Sequence, residues 1–274
     1  MRTTMRPYAT HTITSDLIQA LNCQITEEGL VDYQPQQIDN NAKNVLGSVL
    51  ASNLSLKDLT IAPINETTAS IWRDVLTNVA LLSNLEALHL GNLPLDTPEL
   101  LTVLQSNPGL RSLHLTLSPE TAQTLSTTNS LSALFAQIRL LKNLTFIDLS
   151  HHNLCGYGQQ IAVLIQQLPI RTIYLRDCQL TDDDVNKIAE AINTKKSDPT
   201  SKLHLSLSMN ILSLEAVKQI VQALPHNTVA NIDYVLHKTE IDDPGLQALI
   251  QQATDIGHDT ITMKPVHAAH KKGL

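Results

Sequence analysis

A chain of 274 residues has ample length for a buried core, and its net charge of −7, with no basic stripe, lacks the electrostatic footprint of a nucleic-acid or anionic-membrane binder. The hydrophobic fraction is 42% but Phe, Trp and Tyr make up only 3%; 45 leucines supply the difference, which points to a small packing unit used repeatedly. No stretch reaches the roughly 18 apolar residues of a membrane span, no apolar run near the start reads as a signal peptide, and Cys23, Cys155 and Cys178 are too sparse for a disulfide framework, so a cytoplasmic, reducing setting is expected.

In chain order, Ser15 opens a first candidate unit, with Ile18, Ala20, Cys23 and Ile25 ahead of Thr26-Glu27-Glu28-Gly29-Leu30. Ala42, Val45, Leu46, Val49 and Leu50 form an amphipathic stripe suited to a helix that caps the end of a stack. Residues 1–55 therefore read as an N-terminal helical cap, with a degenerate first repeat if Ser15 starts one. Leu56, Leu59 and Ile61 begin the next unit. Leu85, Leu88, Leu90, Leu93 and Leu95 form another, and Leu110, Leu113 and Leu115 a further one. Ser118–Asn129 breaks the pattern as a Ser/Thr-rich insertion. Leu144, Ile147, Leu149, His152 and Leu154 restore it, followed by Ile170, Ile173, Leu175, Cys178 and Leu180. Lys195–Ser201 is a second polar insertion. Lys202 starts a unit with Leu205, Leu207, Asn210 and Leu212, and Asn231 a weaker one with Tyr234, Leu236 and Ile241. Residues 56–259 are expected to form the repeat array. In 260–274, Thr260–Lys264 reads as a last edge strand and His267–Leu274 as a tail.

The pattern is apolar at relative positions 1, 4, 6 and 11, with Asn or Cys at 9. Positions 4 and 6 lie two apart, so in a strand both point into the core while 3 and 5 point outward. A polar side chain at 9, where the chain leaves the strand, can satisfy buried turn backbone. A helical period follows the strand in several units: Ile161, Leu164, Ile165 and Leu168; Val185, Ile188, Ala189 and Ile192; Val217, Ile220, Val221 and Leu224; Leu246, Leu249, Ile250 and Ala253. Thr97-Pro98 and Asp243-Pro244 mark helix starts, Pro169 and Pro225 helix ends. Asp182, Asp183 and Asp184 read as first-turn acids that complement a helix dipole rather than a cation site.

Leu175-Arg176-Asp177-Cys178-Gln179-Leu180-Thr181-Asp182 resembles the strand-and-turn signature of leucine-rich-repeat proteins of the ribonuclease-inhibitor type. The resemblance covers residues 56–255, or 15–255 with the first unit, and departs from the family at His152, where Asn or Cys is usual. It implies an α/β fold: a right-handed, horseshoe-shaped solenoid with a parallel sheet on the concave face and helices on the convex face. Irregular repeat lengths and Asn/Gln/Thr-rich filler also resemble leucine-rich-repeat effectors of intracellular bacteria. That likeness implies secretion into a host cell without a cleavable signal peptide.

Outward positions become rows along such a sheet. Position 5 gives Thr60, His89, His114, Asp148, Tyr174, Ser206 and Val235; position 3 gives Asp58, Ala87, Ser112, Phe146, Thr172, His204 and Asp233. Positions 7 and 8 add Asn92, His151, Arg176, Asp177, Met209, His237 and Lys238. Aromatics and arginine dominate binding hot spots. The expected function is therefore a non-catalytic, monomeric protein-interaction module (adaptor, inhibitor or effector) without a cofactor. Its partner would be bound at His89, His114, Phe146, Asp148, His151, Tyr174, Arg176, Asp177 and His204. The alternative is a regulator of an enzyme. The Ran GTPase-activating protein has a similar crescent, and Arg73, Arg139 or Arg176 would then be the supplied arginine. His89, His114 and Asp148 offer a metal-ligand set if their strands adjoin. His151, His152 and Cys155 invite a Cys–His nucleophile, although the repeat accounts for all three. No Walker loop, Gly-x-Gly-x-x-Gly or His-Glu-x-x-His occurs.

Overall fold

The computed structural model describes residues 24–25, 31–33, 38–52, 54–63, 69–118, 122, 131–194, 203–224, 228–233, 235–236, 238–255 and 260–266. The strands are β1 (Gln24–Ile25), β2 (Val31–Tyr33), β3 (Asp58–Ile61), β4 (Ala87–Gly91), β5 (Ser112–Thr116), β6 (Phe146–Asp148), β7 (Thr172–Tyr174), β8 (Leu203–Ser206), β9 (Thr228–Asn231) and β10 (Thr260–Thr262). The helices are α1 (Asn40–Ser52), α2 (Ala69–Val79), α3 (Pro98–Ser106), α4 (Ser132–Ile138), α5 (Gly158–Gln167), α6 (Asp182–Thr194), α7 (Leu214–Ala223), α8 (Lys238–Ile241) and α9 (Pro244–Asp255).

The strands form one sheet in sequence order. Every neighbouring pair from β2 to β10 is parallel. The reason lies in the alternation. Leu59, Ile61, Leu88, Leu90, Leu113, Leu115, Ile147, Leu149, Ile173, Leu175, Leu205 and Leu207 are at most 1% exposed, and the residues between them stay half-exposed. From the other side come the apolar stripes of the helices, among them Ile161, Leu164 and Ile165 of α5, Val185 and Ile188 of α6, and Val217 and Ile220 of α7. Each such side chain contributes roughly 1.5–3 kcal/mol by leaving water. Among the described residues one layer of helices thus covers one face of the sheet and leaves the other open. The chain is an α/β leucine-rich-repeat solenoid.

The register aligns Thr60, His89, His114, Asp148, Tyr174 and Ser206 as one row, as position 5 requires. The last unit departs from expectation. Ser206 pairs with Asn231, and His204 with Val229, so these replace Val235 and Asp233 in the two rows. Ala230 and Ile232 are the inward residues there, 0% and 1% exposed. Val235 and Asp233 lie beyond the strand and are buried. Tyr234 and His237 fall outside the described residues, and Lys238 begins α8.

At the N-terminal edge the strand beside β3 is β2, and β1 pairs with β2 antiparallel. The strand expected just after Ser15 lies outside the described residues. The stripe of Leu46, Val49 and Leu50 forms buried positions of α1, which packs beside α2 through the Lys43–Asp74 ion pair at 2.7 Å. Most of Ser118–Asn129, all of Lys195–Ser201 and His267–Leu274 are likewise outside the described residues.

The turns that leave β4, β6, β7 and β8 share a regularity. Asn92, His151, Asp177 and Met209, all at position 8, have φ between 52° and 68°, a left-handed bend without glycine. The next side chain then faces inward. Asn210 donates to the carbonyls of Leu175 and Leu207 (both 2.8 Å) and accepts from the amides of Cys178 and Leu180 (both 3.0 Å). The Cys178 thiol, its pKa pushed far up by burial, donates to the Leu149 carbonyl. His152 places Nε2 3.0 Å from the Leu115 carbonyl. Asn92, expected on the open face, is instead 5% exposed. It ties together the turns of the two flanking repeats, donating to the Pro63 carbonyl and accepting from the Ser118 amide, because Leu93 at position 9 is apolar.

Candidate functional site

Four side chains on consecutive strands of the open face make a line of ring contacts. His89 and His114 are paired residues of β4 and β5, with ring centroids 5.1 Å apart. His114 stacks on Phe146 at 4.2 Å and 24°, and Phe146 meets Tyr174 edge-on at 5.4 Å and 79°. Phe146 sits opposite Ser112, so its stack with His114 is a diagonal cross-strand contact. Burial lowers the His114 pKa below the usual histidine value. The neighbouring His89 adds to this, and Asp148 opposes it. The imidazole is therefore neutral at pH 7, with Nε2 3.1 Å from the Ser112 hydroxyl.

Beyond Tyr174 the face opens into a recess of about 530 Å³, walled by Asp148, His151, Tyr174, Arg176, His204 and Asn231, with Thr116, Ser150 and Ser206 between them. Asp148 accepts the Ser150 amide on Oδ1 at 2.9 Å. His151 Nδ1 lies 3.1 Å from Asp177 Oδ2, a pair formed because both residues take the left-handed turn position. Arg176 places Nη2 3.1 Å from Met209 Sδ.

All nine residues expected at a binding site thus fall on or beside one face: His89, His114, Phe146 and Tyr174 in the ring line, Asp148, His151, Tyr174, Arg176 and His204 around the recess, and Asp177 holding His151. Asn231 was hidden by the slipped register of the last unit. Its signal was the alternation of Ala230 and Ile232. Thr116 and Ser150 were hidden because small hydroxyl residues look like filler; Ser206 stood in the outward position-5 row but not among the expected binding residues.

The sharper chemistries fare differently. His89, His114 and Asp148 do sit side by side, yet no group of three His, Cys, Asp or Glu among the described residues is placed to hold a metal. His152 is 1% exposed and bonded to a backbone carbonyl, whereas Cys155 is exposed, so the two do not act as a pair. Arg73 pairs with Glu99 at 3.0 Å, on the helical layer. Asp182, Asp183 and Asp184 stand in the first turn of α6, as expected, and Asp184 is in addition fully buried and accepts from the amides of Gly156, Gly158 and Thr181. Among the described residues no helix is long and apolar enough to cross a membrane.

No protein-family model and no curated protein matches the sequence. Among solved structures the chain is similar to an internalin (inlF) from Listeria monocytogenes str. 4b F2365, with 11% identity over 94% of this chain and 90% of that one, at a TM-score of 0.38.

Proposed function

We propose that the chain is a non-catalytic protein-binding module that holds another protein on the open face of its sheet. The observation that carries this reading is the unbroken ring line His89–His114–Phe146–Tyr174 running into a recess walled by Asp148 and Arg176. Aromatic side chains and arginine are the residue types on which interface energy concentrates. Backbone pairing along the sheet fixes them before any partner arrives, which lowers the entropic cost of association. We take the protein to act as a monomer of the ribonuclease-inhibitor type. The free thiols of Cys155 and Cys178 fit a reducing cytoplasm, either that of its own cell or, for an effector, that of a host.

The test is affinity for a captured partner, measured with purified proteins. The double variant Tyr174→Ala/Arg176→Ala should weaken binding by about 100-fold or more on hot-spot magnitudes. Glu190→Gln, on the helical layer, should leave it unchanged. A partner bound equally well by the double variant would remove the open face as the binding site.

A further inference from the structure

The recess has an uneven supply of counter-ions. Asp148 stands in the position-5 row between His114 and Tyr174. Its Oδ1 takes the Ser150 amide, and it makes no ion pair with a cation among the described residues. The other carboxylates nearby are engaged: Asp177 by His151 at 3.1 Å, and Asp233 by Lys264 at 3.2 Å. The wall's one guanidinium, Arg176, lies against Met209, on the β8 side of β7, whereas Asp148 lies on the β6 side. His114 is neutral at pH 7 and gives Asp148 no positive neighbour. A half-buried carboxylate beside an aromatic ring attracts a cation more strongly than an exposed one, since part of its solvent is already excluded. The chain's net charge of −7 adds to that pull over a longer range.

We infer that the partner delivers a lysine or arginine side chain into this recess, with its cation on Asp148 and its aliphatic stem along the Tyr174 ring. The inference rests on the protein-binding reading above and names the chemistry of the bound segment. Lysine and arginine both fit, because each combines a terminal cation with an apolar stem that packs on an aromatic surface.

The probe is an end-blocked, fluorescently labelled hexalysine peptide, followed by anisotropy at low ionic strength beside hexaglutamate. Hexalysine should bind and hexaglutamate should not. Asp148→Asn keeps the acceptor for the Ser150 amide, so its thermal unfolding should match the parent while hexalysine affinity falls about ten-fold. Tyr174→Ala should weaken hexalysine by a similar factor without any change of charge, and Tyr174→Phe should retain binding. Glu190→Gln removes the same charge from the helical layer and should cost less than about two-fold. Equal losses for Asp148→Asn and Glu190→Gln would reduce the effect to diffuse attraction and overturn the inference, as would no hexalysine binding at all. Tight hexaglutamate binding lost in Arg176→Ala would overturn it in favour of an acidic segment. A captured partner that needs Tyr174 and Arg176 but binds Asp148→Asn at full strength would sink this inference and leave the protein-binding reading standing. Indifference to all three would sink both.

Discussion

The α-carbon of Asp184 occupies the space where a side chain on Gly158 would begin: a Cβ there would stand 2.3 Å from it and 2.6 Å from the Asp184 carbonyl oxygen. In return the Gly158 amide donates to Asp184 Oδ1 at 2.9 Å and the Gly156 amide to Oδ2 at 3.0 Å. The start of α5 is thereby fastened to the start of α6, across the repeats that carry His151 and Asp177. Gly158→Ala places a methyl against backbone that has nowhere to move. It should destabilise the protein by about 1–3 kcal/mol or more, read as a lower urea midpoint. An unchanged midpoint would mean that this contact is not held in solution.

Asp184 itself is under opposing influences. Burial resists its ionisation, but hydrogen bonds from Thr181, Gly156 and Gly158 together hold its pKa below the usual carboxylate range. A carboxylate depressed in the folded state contributes stability above its unfolded pKa of about 3.9, and that contribution disappears as pH falls through the folded value. Asp184→Ala, which strands three amides without an acceptor, should therefore cost about 3 kcal/mol or more near neutral pH. The gap between variant and parent should narrow in strong acid. Denaturant titrations at several pH values check both points; a gap that widens in acid would contradict the assignment.

His152 sets a second, separate pH dependence. Complete burial presses its pKa down to about 3, the Leu115 carbonyl resists this only in part, and Nδ1 has no hydrogen-bond partner among the described residues. The unfolded chain takes up this proton near pH 6.5 and the folded one only near 3. Between those values the unfolded state holds the extra proton, so stability rises with pH and is lost on acidification, by up to about 1.4 kcal/mol per pH unit. His152→Asn puts at this turn the residue that Asn210 supplies at another. The slope of stability against pH around pH 5 should fall by roughly one proton's worth. If the slope stays as steep, another group is responsible.

The ease of reading this chain varied along its length for physical reasons. Leucines at positions 4 and 6 are core residues two apart on a strand, and pairs such as Leu88/Leu90 and Leu113/Leu115 fixed both the strand and its register. Where the inward pair becomes Ala230 and Ile232, the hydrophobic contrast fades, and the neighbouring Tyr234 and Leu236 mimic the same spacing four residues late. Left-handed turns at His151, Asp177 and Met209 leave no trace in composition, because no glycine marks them. The His151–Asp177 pair, which depends on them, was invisible as a pair although both residues stood among the site candidates. The stack of His114 on Phe146 is diagonal, so aligning equal repeat positions does not reveal it.

That stack gives a prediction that can be read one proton at a time. Burial is the largest cause of the lowered His114 pKa, His89 the next, and Asp148 acts in the opposite sense. Phe146 covers one side of the imidazole at 4.2 Å. Phe146→Ala should therefore re-expose the ring and raise the His114 pKa toward the ordinary histidine value. His89→Ala should also raise it, by less, because it removes a like charge and leaves the burial in place. Asp148→Asn should lower it further, since a carboxylate that favours the imidazolium is lost. The imidazole Cε1–H signals followed by NMR through the acid range report all three directions. The Asp148 result is the most exacting: a rise there would place the carboxylate away from His114, against the register of β5 and β6. A fall would put Asp148 within electrostatic reach of the ring line, on the edge of the recess that the line opens into.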